Sequence, residues 1–149
     1  MARSVPAGSI DPSAVEKVSM AKTPLIPSAL LDRPGQLEIS PGILSGGHVF
    51  LTGMTGSLTD GSMPDDPVVQ FHNAFAKIAE VLSEADLTLD SIVEMTTYHV
   101  GMEDHFDQFD RVRLEVLSPP YPAWTAVEVA GLRRKGALVE IRVIASVEG

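Results

Sequence analysis

The chain has 149 residues, an apolar fraction of 44%, a net charge of −9 and no cysteine. That length suits one domain with one hydrophobic core, and the apolar fraction excludes wholesale disorder. Without cysteine there are no disulfides, thiolate nucleophiles or thiolate metal ligands, and the negative charge sets most of the surface against a phosphate backbone.

Residues 1–20 contain Pro6, Gly8 and Pro12 and hold no regular period, so they read as a flexible N-terminal extension to a single domain over 21–149. Pro6, Asp11, Pro12 and Glu16 interrupt any leader-like apolar core. No apolar run approaches the ~20 residues of a membrane span. A cytoplasmic protein with no membrane partner is expected. Residues 21–36, with Pro24, Pro27, Pro34 and Gly35, read as an irregular arm laid over the core. Leu37 and Ile39 alternate with polar neighbours and predict a short strand.

After Gly46-Gly47, residues His48 to Thr52 predict a buried strand, and Met54 to Asp66 predict a loop rich in Gly, Pro, Ser and Thr. Asp66-Pro67 opens a helix: Asp caps it and Pro suits its first position. Val68, Phe71, Phe75, Ile78 and Leu82 form one apolar stripe along it, ending near Ala85-Asp86. The β-branched run Ile92 to Val100 predicts a strand stopped by Gly101. A second helix carries Phe106, Phe109, Val112 and Val116 on one face and breaks at Ser118-Pro119-Pro120. Strands over 124–130 and 138–147 follow, and the Gly131 to Gly136 turn predicts that they pair as an antiparallel hairpin.

The predicted fold class is therefore α+β: a mixed sheet with both helices on one face. Val127, Val129, Ile141 and Val143 are not solvent residues, so the uncovered face predicts an oligomer closed sheet against sheet. Arg133, Arg134 and Lys135 are the one basic cluster. Three residues at a turn are not a nucleic-acid footprint, so no nucleic-acid partner is expected. His48, His72, His99 and His105 show no metal-ligand spacing, and neither a metal nor another cofactor is expected.

Several segments resemble the RidA/YjgF family, also called L-PSP endoribonucleases or translation inhibitors. They are HVFLTG at 48–53, the stretch from Leu87 to Val100, MEDHF at 102–106, YPAWTAVEVA at 121–130 and VEIRVIA at 139–145. The last two are the specific ones, and the match covers residues 37–147. The resemblance implies a chorismate-mutase-like fold, a homotrimer, and clefts between subunits that take a small molecule. It also implies hydrolysis of 2-imino or 2-enamino acids: an arginine in a Pro-Ala-Arg motif forks onto the substrate carboxylate, and a last-strand glutamate positions water.

Glu140 falls at the glutamate position and is the expected catalytic residue. At the arginine position stands Trp124, the sole tryptophan, which has one donor and no charge. Pro122, Ala123 and Thr125 flank it as in the motif. The family's glutamine after Ser-Gly becomes Met54, its helix asparagine becomes Asp110, and its early tyrosine motif is missing. The pattern resembles a YjgH-like branch for which deaminase activity is not expected. Trp124, Ala126, Met54 and Asp110 are the expected ligand-binding residues. Trp124 is read as a cleft wall or a core aromatic, on the face it shares with Ala126 and Glu128. Glu140 is read as a water-orienting acid/base or as an ion-pair partner of Arg142 or of a neighbouring subunit. Arg111 and Arg113 are read as solvated or paired helix residues, or as a carboxylate clamp replacing the lost arginine. The function expected is ligand binding in a trimeric cleft with altered imine or enamine hydrolysis, or binding and regulation alone.

Overall fold

A computed structural model describes residues 21–31 and 38–148. The expected extension over 1–20, and Leu37, lie outside those residues. The elements are β1 (Lys22–Leu25), α1 (Ser28–Leu31), β2 (Gly42–Ser45), β3 (His48–Leu51), α2 (Pro67–Ser83), β4 (Ile92–His99), α3 (Met102–Val116), β5 (Ala123–Glu128) and β6 (Val139–Ser146). No helix among the described residues is long and apolar enough to cross a membrane.

The two long helices follow their sequence signals. The Asp66 carboxylate accepts the Val68 N–H at 2.9 Å, and Pro67 opens α2 where its missing donor costs nothing. Phe71, Phe75, Ile78 and Leu82 are buried, and Val68 packs at the rim of the core. In α3, Phe109 and Val112 are buried.

The first part of the chain departs from expectation. The arm over 21–36 supplies an edge strand, β1, and the one-turn α1. Of the strand expected around Leu37 and Ile39, Ile39 stands exposed in a bend, and the strand that follows, β2, begins at Gly42. Tight packing rather than alternation decides this. Gly42 pairs with Leu51 on one side and Leu25 on the other, beneath Val81 of α2.

The six strands lie in the order β1-β2-β3-β6-β4-β5. The expected β5–β6 hairpin does not form. β5 pairs parallel with β4, reached through α3 as a β-α-β crossover. β6 runs antiparallel between β3 and β4. The connection over 129–138 carries the chain past β4 to reach that slot. Burial explains the choice: Val139, Ile141, Val143 and Ala145 are each at most 1% exposed, so β6 needs a neighbour on both edges and helices above.

The two sheet faces are unlike. Met95, Thr97 and His99 of β4 and the four buried residues of β6 face α2 and α3. The expectation that Ile141 and Val143 lie on the uncovered face is thereby corrected. That face carries Phe50, Tyr98, Val127, Glu140, Arg142 and Ile144, with Glu140 opposite Tyr98 and Ile144 between Phe50 and Glu94. The loop before α2 is pinned down on the helix. Gln70 Nε2 donates to the Pro64 and Gly136 carbonyls, Asn73 donates to the Gly56 carbonyl, and Lys77 reaches Ser57 Oγ. Gly56 lies so close to the Gln70 backbone that a Cβ there would collide with its carbonyl oxygen.

Phe109 is where the layers meet. Its ring contacts Phe71 edge-on at 5.4 Å, Phe75 at 5.8 Å, His99 edge-on at 4.9 Å and Trp124 at 6.0 Å. Truncation to alanine opens a cavity between both helices and the sheet. Phe109→Ala is expected to lower stability by about 3–5 kcal/mol in urea unfolding. Burial lowers the pKa of His99 from 6.5 to about 4. Above pH 6.5 the ring is neutral in folded and unfolded chains alike. Between pH 6.5 and about 4 the unfolded chain takes up a proton that the folded chain refuses, so stability falls as pH falls. Below about 4 this group adds no further loss. The expected contribution is roughly 3 kcal/mol across that window. His99→Gln should flatten the pH dependence of the urea midpoint there, and an unchanged slope would contradict the assignment.

Candidate functional site

Trp124 stands in the edge strand β5, beside Met95 of β4 in register, and Ala126 stands beside Thr97. Both side chains turn towards α3, while Thr125 and Val127 turn to the uncovered face. The indole Nε1–H donates to Thr97 Oγ1 at 2.9 Å. The same oxygen lies 2.7 Å from His99 Nε2. Thr97 Oγ1 thus joins the indole to the buried, neutral His99 ring, and the ring's tautomer sets which partner donates in the second bond.

The indole is not a bare wall. Phe106 lies parallel to it, with centroids 5.7 Å apart and planes within 5°. The Arg113 guanidinium sits 4.4 Å from its centroid and 5.6 Å from the ring of Tyr121. Such placements are favourable because the ring face is electron-rich. Asp110 holds that guanidinium: its Oδ1 accepts from Nε at 2.8 Å and forms an ion pair with Nη2 at 2.6 Å. Phe106, Asp110 and Arg113 recur at four- and three-residue intervals and so share one side of α3. That spacing was visible in the sequence. What it faced was not, and Phe106 and Tyr121 escaped sequence reasoning as site residues.

Glu140 lies elsewhere. Its side chain projects from β6 on the uncovered face, half-buried, with its carboxylate over Gly53. A Cβ at Gly53 would stand 2.5 Å from Glu140 Oε2, so glycine is what leaves room for the acid. Met54 and Ile141 exchange backbone hydrogen bonds of 2.8 and 2.9 Å, which fixes the loop beside β6. The Met54 side chain packs against the core. Among the described residues Glu140 has no hydrogen-bond or ion-pair partner, and the expected pair with Arg142 is not formed.

One chain thus divides the predicted site. Trp124, Ala126 and Asp110 are gathered on the helix side of β5, with Arg113 as the link. Glu140 stands on the opposite face, with Met54 alongside through its backbone. No three His, Asp or Glu side chains gather into a metal cage among the described residues. A cavity of about 290 Å³ between the 63–67 loop, Gln70, His105 and Gly136 holds none of the predicted residues. The His105 Nδ1 atom is buried without a partner.

Comparison with known proteins gives the arrangement its relatives. Residues 34–147 match the model of the family described as endoribonuclease L-PSP. The chain is 35% identical over 127 residues to the RutC family protein YjgH of Escherichia coli, covering 85% of this chain and 95% of that one. It is 30% identical over 127 residues to a putative regulator, AldR, of Lactococcus lactis, covering 80% and 96%. A solved structure from Yersinia pestis, described as a protein of unknown function of the conserved Rid protein family, superposes with a TM-score of 0.74 at 28% identity. It covers 85% of this chain and 99% of that one. The mixed α+β fold and the motifs around Trp124 and Glu140 agree with these matches, and the chain belongs to the endoribonuclease L-PSP family, the YjgF/RidA group.

Proposed function

We propose that this chain is a cytoplasmic Rid-type protein. Three copies close their uncovered sheet faces on one another, and the clefts between them take a small metabolite. In the catalytic form of this reading the ligand is an imine or enamine. Glu140 accepts a proton from water as the water oxygen adds to the C=N carbon. Glu140 returns that proton to the nitrogen to give a carbinolamine. Its hydroxyl proton moves to nitrogen as the C–N bond breaks, so that ammonia leaves and a carbonyl compound remains; an enamine enters through its imine tautomer. The observation that carries the reading is Glu140 itself: a half-buried carboxylate given room by Gly53 and without a partner among the described residues. Burying a carboxylate unpaired is costly unless something else, a subunit or a ligand, meets it.

A second reading, binding without turnover, has its own support. Tryptophan stands where the family's arginine would be, its indole is packed by Phe106 and Arg113 of the same chain, and one relative bears the name of a putative regulator.

Two outcomes test the proposal. Purified protein offered a panel of enzymatically generated imines should release ammonia above the buffer rate, and Glu140→Gln should cut that rate by about a hundredfold or more. A wild-type rate equal to buffer on every imine selects the binding-only reading. For the assembly, light scattering should give a particle of three chains. Phe50→Glu, at a position 39% exposed on the uncovered face, should shift it to monomer. A monomeric wild type at micromolar concentration would remove the clefts and the proposal with them.

A further inference from the structure

We propose that Lys77 of α2, Ser57 of the loop before that helix and Arg134 of the turn before β6 together bind one phosphoryl group, as inorganic phosphate or as a phosphate monoester. The site shares no residue with Glu140 or with the Trp124 cluster, so it goes beyond the reading above and does not depend on it.

Gln70, Asn73 and Lys77 recur at three- and four-residue intervals and share one side of α2. Two segments are seated on that side. Gln70 holds the turn before β6: it donates to the Gly136 carbonyl at 3.0 Å and accepts the Leu138 N–H at 2.9 Å. Asn73 holds the loop by donating to the Gly56 carbonyl at 3.2 Å. The Lys77 ammonium donates to Ser57 Oγ at 3.0 Å. Ser57 and the Arg134 charge are thereby brought to the same half-buried lysine.

Donors gather there without an acceptor. Ser57 Oγ accepts from Lys77 and, at 3.4 Å, from Thr55 Oγ1, which occupies both of its lone pairs. The Ser57 hydroxyl proton has no acceptor among the described residues. Neither Lys77 nor Arg134 forms an ion pair with a carboxylate among those residues. Burial, and after it the charge of Arg134, lower the pKa of the Lys77 ammonium. The exposed Glu80, three positions along the helix, offsets them only in part. Two neighbouring cations left unpaired in a chain of net charge −9 call for an anion from outside it.

A phosphoryl group matches this donor set. Lysine meets it as a point charge, arginine as a two-pronged fork, and the serine hydroxyl can take a third oxygen. A carboxylate offers one oxygen and one charge fewer. The set is also too small for a nucleic-acid backbone, which needs a stripe of cations.

The full-length protein is titrated with inorganic phosphate, methyl phosphate and acetate at constant ionic strength, following the lysine Cε–Hε signals by NMR. Lys77 should shift saturably with phosphate, methyl phosphate or both, and acetate should bind about tenfold or more weakly. Lys22 of β1 should not follow. A preference for methyl phosphate marks a monoester as the ligand, and a preference for phosphate marks the free ion. Arg134→Gln should weaken binding by about tenfold and Ser57→Ala by several-fold. Lys135→Gln removes the same charge one residue away and should change the affinity by no more than about twofold, which separates a built site from diffuse attraction.

No saturable shift at Lys77, acetate binding as well as phosphate, an unchanged affinity in Ser57→Ala, or equal losses in Arg134→Gln and Lys135→Gln would each overturn the proposal. Lys77→Gln, followed by calorimetry because it removes the reporter, should abolish binding, and a folded variant that still binds overturns it as well. If Lys77→Gln does not fold, Arg134→Gln decides from its exposed position, and an unchanged affinity there overturns the proposal.

Discussion

The insertion of β6 between β3 and β4 is the constraint on which the remaining structure depends. The last strand of the chain occupies the middle of the sheet, so the fold is not closed until residues 139–146 are in place. Its alternation also sorts the molecule into two faces. Val139, Ile141, Val143 and Ala145 go beneath the helices, while Glu140, Arg142 and Ile144 go to the uncovered side. A slip of one residue would drive two charged side chains into the core, which is why this register is held firmly. Met54 adds to the hold by bridging Ile141, and so brings Gly53 beneath the Glu140 carboxylate.

The same sorting separates the two groups of site residues. Being six positions long and at the edge, β5 can present Trp124 and Ala126 towards α3 while its other residues stay exposed. The tryptophan then becomes part of the packing. It ties β5 to β4 through Thr97 and to α3 through Phe106 and Phe109. A guanidinium is not absent from this neighbourhood, because Arg113 lies upon the indole. Its geometry differs from that of a strand arginine. It comes from the helix above, its charge is partly met by Asp110, and its orientation is set by stacking.

Much of this fold was legible along the chain. The Asp66-Pro67 start, the stripe from Phe71 to Leu82 and the break at Ser118-Pro119-Pro120 are local signals, written in capping chemistry and helical period, and they survive folding. The errors share a cause. A glycine-bounded turn over 131–136 says that the chain reverses, not which strand it reverses onto. Leu37 and Ile39 alternate as a strand would, yet sequence alone cannot weigh that alternation against the close packing available to Gly42.

For the site, the motifs around Trp124 and Glu140 carry the resemblance, and the family they point to is the one the chain belongs to. The sequence by itself determined the residue types, the two amphipathic helices and the loss of the motif arginine, because these are properties of neighbours in the chain. The tertiary structure alone decided that Trp124 and Glu140 face opposite ways, that Glu140 lacks a partner within the described chain, and that Arg113 lies over Trp124. Those facts depend on strand order and on which side of α3 meets β5. They are set by long-range burial of apolar surface, which residues close in sequence do not encode.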